Sequence, residues 1–190
     1  SCKYPVNHYH EYLKARGLAL PALEDVAYYP ANPNFEIYAR QTGPVEASFE
    51  HYVAEEAIEL LERFAGLGAR DDRPFFTWVN FWGPHDPYIL PDPWYSRYDG
   101  EDVRLSPSME ETWEHKPWIQ RQMPHTWGIA ERSWADWQPV VAHYLGIISQ
   151  LDAAIGLVLE GLEELGLGED TLVVYTSDHG DMCGSHHMFD

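Results

Sequence analysis

The chain has 190 residues and a mass of 21.9 kDa, enough for one domain with a sizeable core. Hydrophobic residues make up 45%, a globular composition, while 31 acidic residues against 12 basic ones leave a formal charge of −19. That charge excludes nucleic acid and anionic membrane surfaces as partners, and no apolar run approaches the roughly 20 residues of a membrane span.

The first predicted helix runs from Asn7 to Arg16, with Tyr9, Tyr12 and Leu13 on one face and Gly17 as its stop. Leu18 to Gly43, interrupted by Pro21, Pro30 and Pro33, reads as an irregular surface connection. A second helix is predicted from about Val45 to Ala65, since Val53, Ala57, Leu60, Leu61 and Phe64 keep helical spacing. Glu46 and Glu50 fall in its first turns, where carboxylates suit the helix dipole. Gly66 and Gly68 end it, and 69–73 is a charged connector.

Pro74 to Phe81 is too continuously apolar for a half-exposed strand and predicts a buried one. It leads into Trp82-Gly83-Pro84-His85-Asp86-Pro87-Tyr88. The flanking prolines stiffen the backbone of His85, which suits either a placed proton donor or a polar residue in a proline-rich turn. Residues 91–138 read as a loop-rich excursion, and seven of the eight tryptophans (82, 94, 113, 118, 127, 134 and 137) lie in it or just before it. Flat aromatic faces suit sugars, so a carbohydrate-stacking surface competes with simple packing of the excursion onto the core; packing is the stronger reading.

The strongest predicted helix spans about Trp134 to Leu165, with an apolar stripe from Val141 through Ile148, Ile155 and Leu162. Ser133 is its N-cap, Gly166 its stop, and Pro139 is expected in or near its first turn. Thr171 to Thr176 then forms an apolar, β-branched run, a second buried strand, ending in Ser177-Asp178-His179-Gly180-Asp181. Strand, long crossover, helix and strand make a βαβ-type unit and a parallel sheet. In an open α/β sheet, ligands gather at the carboxyl ends of strands. Asp178 and His179 there are either a carboxylate–imidazole metal pair or an ordinary polar turn.

Three stretches together carry a family resemblance. Phe75 to Tyr88 resembles the strand and Pro-His-x-Pro loop of the sulfatases. Tyr144 to Asp152, with Ile155-Gly156, resembles the long helix before their second metal-binding strand. Thr171 to Asp181 and Gly184-Ser185-His186 resemble that strand and its Ser-Asp-His-Gly-Asp turn. The order matches the formylglycine-dependent sulfatases of the alkaline phosphatase superfamily, which also holds phosphonate monoester and phosphodiester hydrolases. The resemblance implies an α/β fold with a mostly parallel sheet flanked by helices, sulfatase-like and incomplete at both ends. Residues 1–190 would then be one partial catalytic domain, with 91–138 as its aromatic-rich excursion.

Carried over by position, the resemblance makes Asp178 and His179 ligands of a divalent metal, with Ca²⁺ favoured over Mg²⁺ or Mn²⁺. His85 would contact the sulfate or serve the leaving-group oxygen. His186 is either a substrate-side residue or a solvated loop histidine, and His187 is a surface residue. The substrate implied is a small-molecule or sugar sulfate ester, whose negative charge the metal would offset against this acidic chain. The superfamily's phosphonate and phosphodiester hydrolases give a second reading, and a non-catalytic acidic glycan-binding module a third.

The departures from the pattern are specific. Cys2-Lys3-Tyr4-Pro5-Val6 lacks the arginine and proline spacing of the Cys-x-Pro-x-Arg formylglycine motif, and Cys183 lies where an apolar residue is expected. The paired aspartates of an N-terminal strand and a lysine beyond Asp190 are also expected outside this sequence. These gaps predict that the chain alone is inactive, and that unpaired sheet edges limit its solubility. Cysteine usage assigns no compartment.

Overall fold

A computed structural model describes residues 6–68 and 74–189 of the chain. The charged connector at 69–73 and Cys2 lie outside the described residues. Four α-helices are present among those described: α1 (Val6–Ala15), α2 (Phe49–Gly68), α3 (Trp118–Trp127) and α4 (Trp134–Glu164). Helix α4 packs on a sheet of three strands, β1 (Leu23–Tyr29), β2 (Asn32–Gln41) and β3 (Tyr88–Leu90), while α2 packs on α4 and α1 on α2. The α/β class holds. The sheet is mixed, with β1 and β2 antiparallel and β2 and β3 parallel, so that Tyr38 lies opposite Tyr88.

The helices follow their sequence signals in extent, but the buried face of α4 runs through Val140, Ile147, Leu151 and Ala154, and Ile148 of the expected stripe is exposed. Both α1 and α4 end on a glycine with positive φ, Gly17 at 67° and Gly166 at 68°, where a Cβ would be strained. After α4 the Leu167 N–H donates to the Leu162 carbonyl at 3.1 Å and Gly166 N–H to Glu163 at 2.9 Å, the paired closure of a helix C-terminus. At the other end, the Asp136 carboxylate accepts from the Ser133 backbone N–H at 2.8 Å and from its hydroxyl at 2.7 Å. Pro139 sits deeper than expected, inside the second turn of α4, where it removes one backbone donor. The helix predicted from Val45 is a 3₁₀ turn, Val45–Ala47, followed by α2 proper.

Helix α4 is the spine of the core. It has the length and composition of a membrane span, yet Trp137, Val140 and Ile147 are buried against Tyr29, Ile37, Tyr88, Leu90 and Phe189. Gly146 lets the excursion approach: a Cβ there would meet the Trp94 carbonyl oxygen at 2.8 Å. Trp94, Trp127 and Trp134 also pack on this core, which assigns most of the aromatic excursion to packing rather than to a stacking surface. Trp118 is the outward-facing exception, 67% exposed.

Three expectations need correction. The connection at 18–43 is a β-hairpin rather than irregular chain, with buried Ile37 and Ala39 alternating along β2. A break in the β1–β2 register, with Asp25 at φ 50°, and prolines on both sides of the turn disguise that alternation. Residues 74–81 and 171–176 are not paired strands among the described residues. Along 74–81 alternate residues face α2, with Phe75 stacked on Phe64 at 4.8 Å, while Phe76 and Trp78 point outward. Leu172, Val173, Val174 and Tyr175 are likewise exposed. A strand needs a neighbour for its N–H and C=O groups, and among the described residues no ladder pairs with these two.

Candidate active site

The loop between the 74–81 segment and β3 carries His85. It turns through a His85 N–H bond to the Trp82 carbonyl at 3.3 Å, and the Trp82 and His85 rings stack with centroids 4.5 Å apart. His85 Nδ1 lies 2.6 Å from the Asp86 carbonyl oxygen and 3.1 Å from Asp86 Oδ1. Two acceptors at one nitrogen assign the ring proton to Nδ1, so Nε2 is the nitrogen that serves an incoming group. Asp86 is in turn held by the Tyr29 hydroxyl, which donates to Oδ2 at 2.9 Å. Tyr29 is a buried β1 residue, so the core itself orients this loop.

Beneath the loop lies a buried carboxyl that sequence reasoning assigned only to the helix dipole. Glu50, on the first turn of α2, is 7% exposed and accepts from Gln150 Nε2 at 3.2 Å. Burial pushes its pKa from 4.5 up to about 7. A Cβ on Gly83 would stand 3.3 Å from Glu50 Oε1, so the loop passes directly over this group.

The second half of the site is the turn after residue 176. Asp178 Oδ1 accepts from the His179 backbone N–H at 2.9 Å. That bond, first, and the nearby imidazoles of His179 and His85 hold the Asp178 carboxyl below the usual carboxylate range. The loop and this turn lie 93 residues apart in sequence (178 − 85), and each is bonded to the buried core, the loop through Tyr29 and the turn through Tyr88. His179 Nδ1 lies 3.2 Å from the Gly180 carbonyl, and Nε2 lies 3.8 Å from Asp178 Oδ2.

Two tyrosines fasten this turn to the core. The Tyr88 hydroxyl donates to Asp181 Oδ2 at 2.5 Å, and the Tyr144 hydroxyl accepts from the Asp181 N–H at 3.4 Å. Burial pushes the Tyr88 pKa far up, so the hydroxyl stays protonated and remains a donor to the carboxylate. Cys183 is buried, with its Sγ 3.5 Å from the same hydroxyl.

A family model described as Sulfatase matches residues 10–189 of the chain. The chain belongs to the sulfatase family. It is 30% identical over 159 residues to the multifunctional alkaline phosphatase superfamily protein PehA of Trinickia caryophylli, covering 76% of this chain and 30% of that protein. It is 30% identical over 144 residues to the iduronate 2-sulfatase of Homo sapiens, covering 70% of this chain and 26% of that protein. Among solved structures, the phosphonate monoester hydrolase of Agrobacterium radiobacter superposes with a TM-score of 0.73 at 21% identity. That match covers 97% of this chain and 38% of the solved one, and it shows the fold. The chain therefore spans roughly a third or less of the curated relatives' length.

Sulfatase-family membership brings a metal and a formylglycine to be tested against these residues. The metal fits in part. Asp178 is an ionised carboxylate, and His179, donating from Nδ1 to a carbonyl, has Nε2 as its lone-pair nitrogen beside it, the arrangement metal-binding histidines use. Among the described residues no third His, Cys, Asp or Glu joins them. The formylglycine does not fit: Cys183 is buried against Tyr88 and stands in no Cys-x-Pro-x-Arg motif. His186 Nδ1 lies 2.9 Å from Glu111 Oε2 and His187 Nε2 3.1 Å from the Glu111 carbonyl, tying the excursion to the last turn. Lys116 donates to the same Glu111 carboxylate at 2.5 Å.

Proposed function

We propose that the full-length protein hydrolyses sulfate monoesters, with His85 serving the leaving-group oxygen and Asp178 and His179 supplying two donors to a divalent cation. The observation that supports this reading is the sulfatase-family match over residues 10–189, which includes both the His85 loop and the Asp178–His179 turn, the first held to the core through Tyr29 and the second through Tyr88. Ca²⁺ is the proposed ion, with Mg²⁺ or Mn²⁺ as alternatives suited to the same oxygen-rich chemistry. When bound, such a cation polarises the anionic ester and offsets charge that an acidic chain would otherwise repel.

The chain's own residues then divide the work. Tyr29 and Asp86 fix the His85 ring so that Nε2 faces the leaving group, and a protonated Nε2 delivers its proton as the ester S–O bond breaks. Trp82, stacked on the ring, limits its rotation. Asp178 and His179 would supply two of the cation's donors. The sequence holds no Cys-x-Pro-x-Arg motif to supply a nucleophile, and the isolated chain is expected to be inactive. His186 fastens the excursion through Glu111 and is assigned no contact with substrate.

The likeness to a phosphonate monoester hydrolase and to a multifunctional superfamily protein favours a second reading, hydrolysis of phosphonate monoesters or phosphodiesters. The two part company in rate. Full-length protein given an aryl sulfate, an aryl phosphodiester and an aryl phosphonate monoester with the same leaving group is expected to give its highest kcat/KM with the sulfate. If the sulfate ester is the poorest of the three, the second reading replaces the first.

A further inference from the structure

We propose that Tyr88 is the positioning residue that sets the Asp178–His179 turn in register with the His85 loop, acting through Asp181. The inference rests on the assignment of Asp178 and His179 as cation donors and adds what holds them. Three observations carry it. Tyr88 is fully buried, follows Pro87 directly, and lies in a parallel ladder opposite Tyr38, so its backbone is fixed by the sheet three residues after His85. Its ring packs between Tyr144, at 5.4 Å, and Phe189, at 5.9 Å, which leaves the hydroxyl little freedom. That hydroxyl reaches Asp181, two residues past His179, at 2.5 Å.

The turn has a particular need for such a tether. The run that leads into it, Leu172 to Tyr175, is exposed and belongs to no ladder among the described residues. On its far side, Cys183 N–H donates to the Phe189 carbonyl at 2.9 Å and Gly184 N–H to Met188 at 2.7 Å, closing the chain into a small loop. Between these stretches, the Tyr88 bond and the Tyr144 bond to Asp181 join the turn to the core. A carboxylate that anchors a turn carrying metal donors fixes their orientation, and losing such an outer partner weakens metal binding without removing a ligand.

Tyr88→Phe removes one hydroxyl and keeps the ring and its packing. In the full-length protein, stripped of metal and titrated with Ca²⁺ and with Mn²⁺, this variant is expected to bind about 10–100-fold more weakly than wild type. At saturating cation its kcat should return to about the wild-type value and KM should not change. Cation affinity within about twofold of wild type overturns the proposal, as does a kcat deficit that saturating cation does not restore. Combining Tyr88→Phe with Asp181→Ala should cost no more than the larger single change, because both cut the same bond; additive losses overturn it. Asp178→Ala serves as the control. If that variant too binds both ions as wild type does, the donor assignment itself fails and the tether falls with it. Normal sensitivity to Asp178→Ala with insensitivity to Tyr88→Phe sinks the tether alone.

Discussion

Replacing His85 by alanine in the full-length protein is expected to lower kcat by about 10²–10⁴-fold, the range that a positioned general acid contributes. The loss should be largest for esters with poor leaving groups. An alkoxide departs only with a proton, whereas a nitrophenolate departs without one. The two classes of substrate therefore separate a proton-donor role from simple binding. A binding role for His85 raises KM equally for both. A proton-donor role leaves KM little changed and tilts kcat against the poorer leaving group, and steady-state kinetics on a series of aryl sulfates reads that slope. Tyr29→Phe should produce a smaller loss of the same kind, since it releases Asp86 and loosens the His85 ring without removing it.

The second large effect belongs to Glu50. Its folded pKa of about 7 stands above the reference value of 4.5, so the folded protein holds a proton that the unfolded chain gives up. The stability this confers is fully present below pH 4.5 and is lost as pH rises through about 7. The lost stability amounts to roughly 3 kcal/mol. Glu50→Gln keeps the shape, cannot ionise, and is therefore expected to gain on wild type over that window and to hold its advantage at alkaline pH. Thermal denaturation of both proteins at pH 5 and pH 8 checks it; an advantage that does not grow with pH contradicts it. Tyr9 shares this neighbourhood: burial, first, and then the Glu50 charge push its pKa up to about 12. Gln150, whose Nε2 donates to Glu50, has its Oε1 buried with no hydrogen-bond partner among the described residues.

The parts of this fold that the sequence makes legible are those held together locally. Helix α4 is readable because its apolar period, its Ser133–Asp136 start and its Gly166 stop all lie within one stretch of chain. The hairpin is hidden because a register break near Asp25 and prolines at 30 and 33 break the period of two over which Ile37 and Ala39 are buried. The apolar runs at 74–81 and 171–176 have the composition of buried strands, but burial requires neighbours that the described residues do not supply. Composition alone reads the strand and not its environment.

The site divides along the same line. His85, Asp178 and His179 can be proposed from short motifs, and the order of those motifs points to the family, which the family match shows. Tyr29, Glu50, Tyr88 and Tyr144 cannot, because each acts on a residue far away in sequence: Tyr29 on Asp86, Glu50 on Gln150, Tyr88 and Tyr144 on Asp181. A tyrosine on an apolar face reads as core packing until its hydroxyl is seen to have a partner. His186 is legible from its motif position, whereas the contact of its Nδ1 with Glu111 is not; Lys116 and His186 together hold that carboxyl below the usual carboxylate range.

The measurement that bears most directly on the account is cation binding by the full-length protein and its Asp178→Ala variant, each stripped of metal and titrated with Ca²⁺ and Mn²⁺. Asp178 is exposed and its side chain bonds only locally, to the His179 N–H, so the substitution leaves the packing of the core intact. The account predicts that wild type binds one ion tightly, that Asp178→Ala binds it at least about 10-fold more weakly, and that sulfate-ester hydrolysis falls in parallel. Equal affinity in the two proteins, or full hydrolysis by the variant, would contradict it.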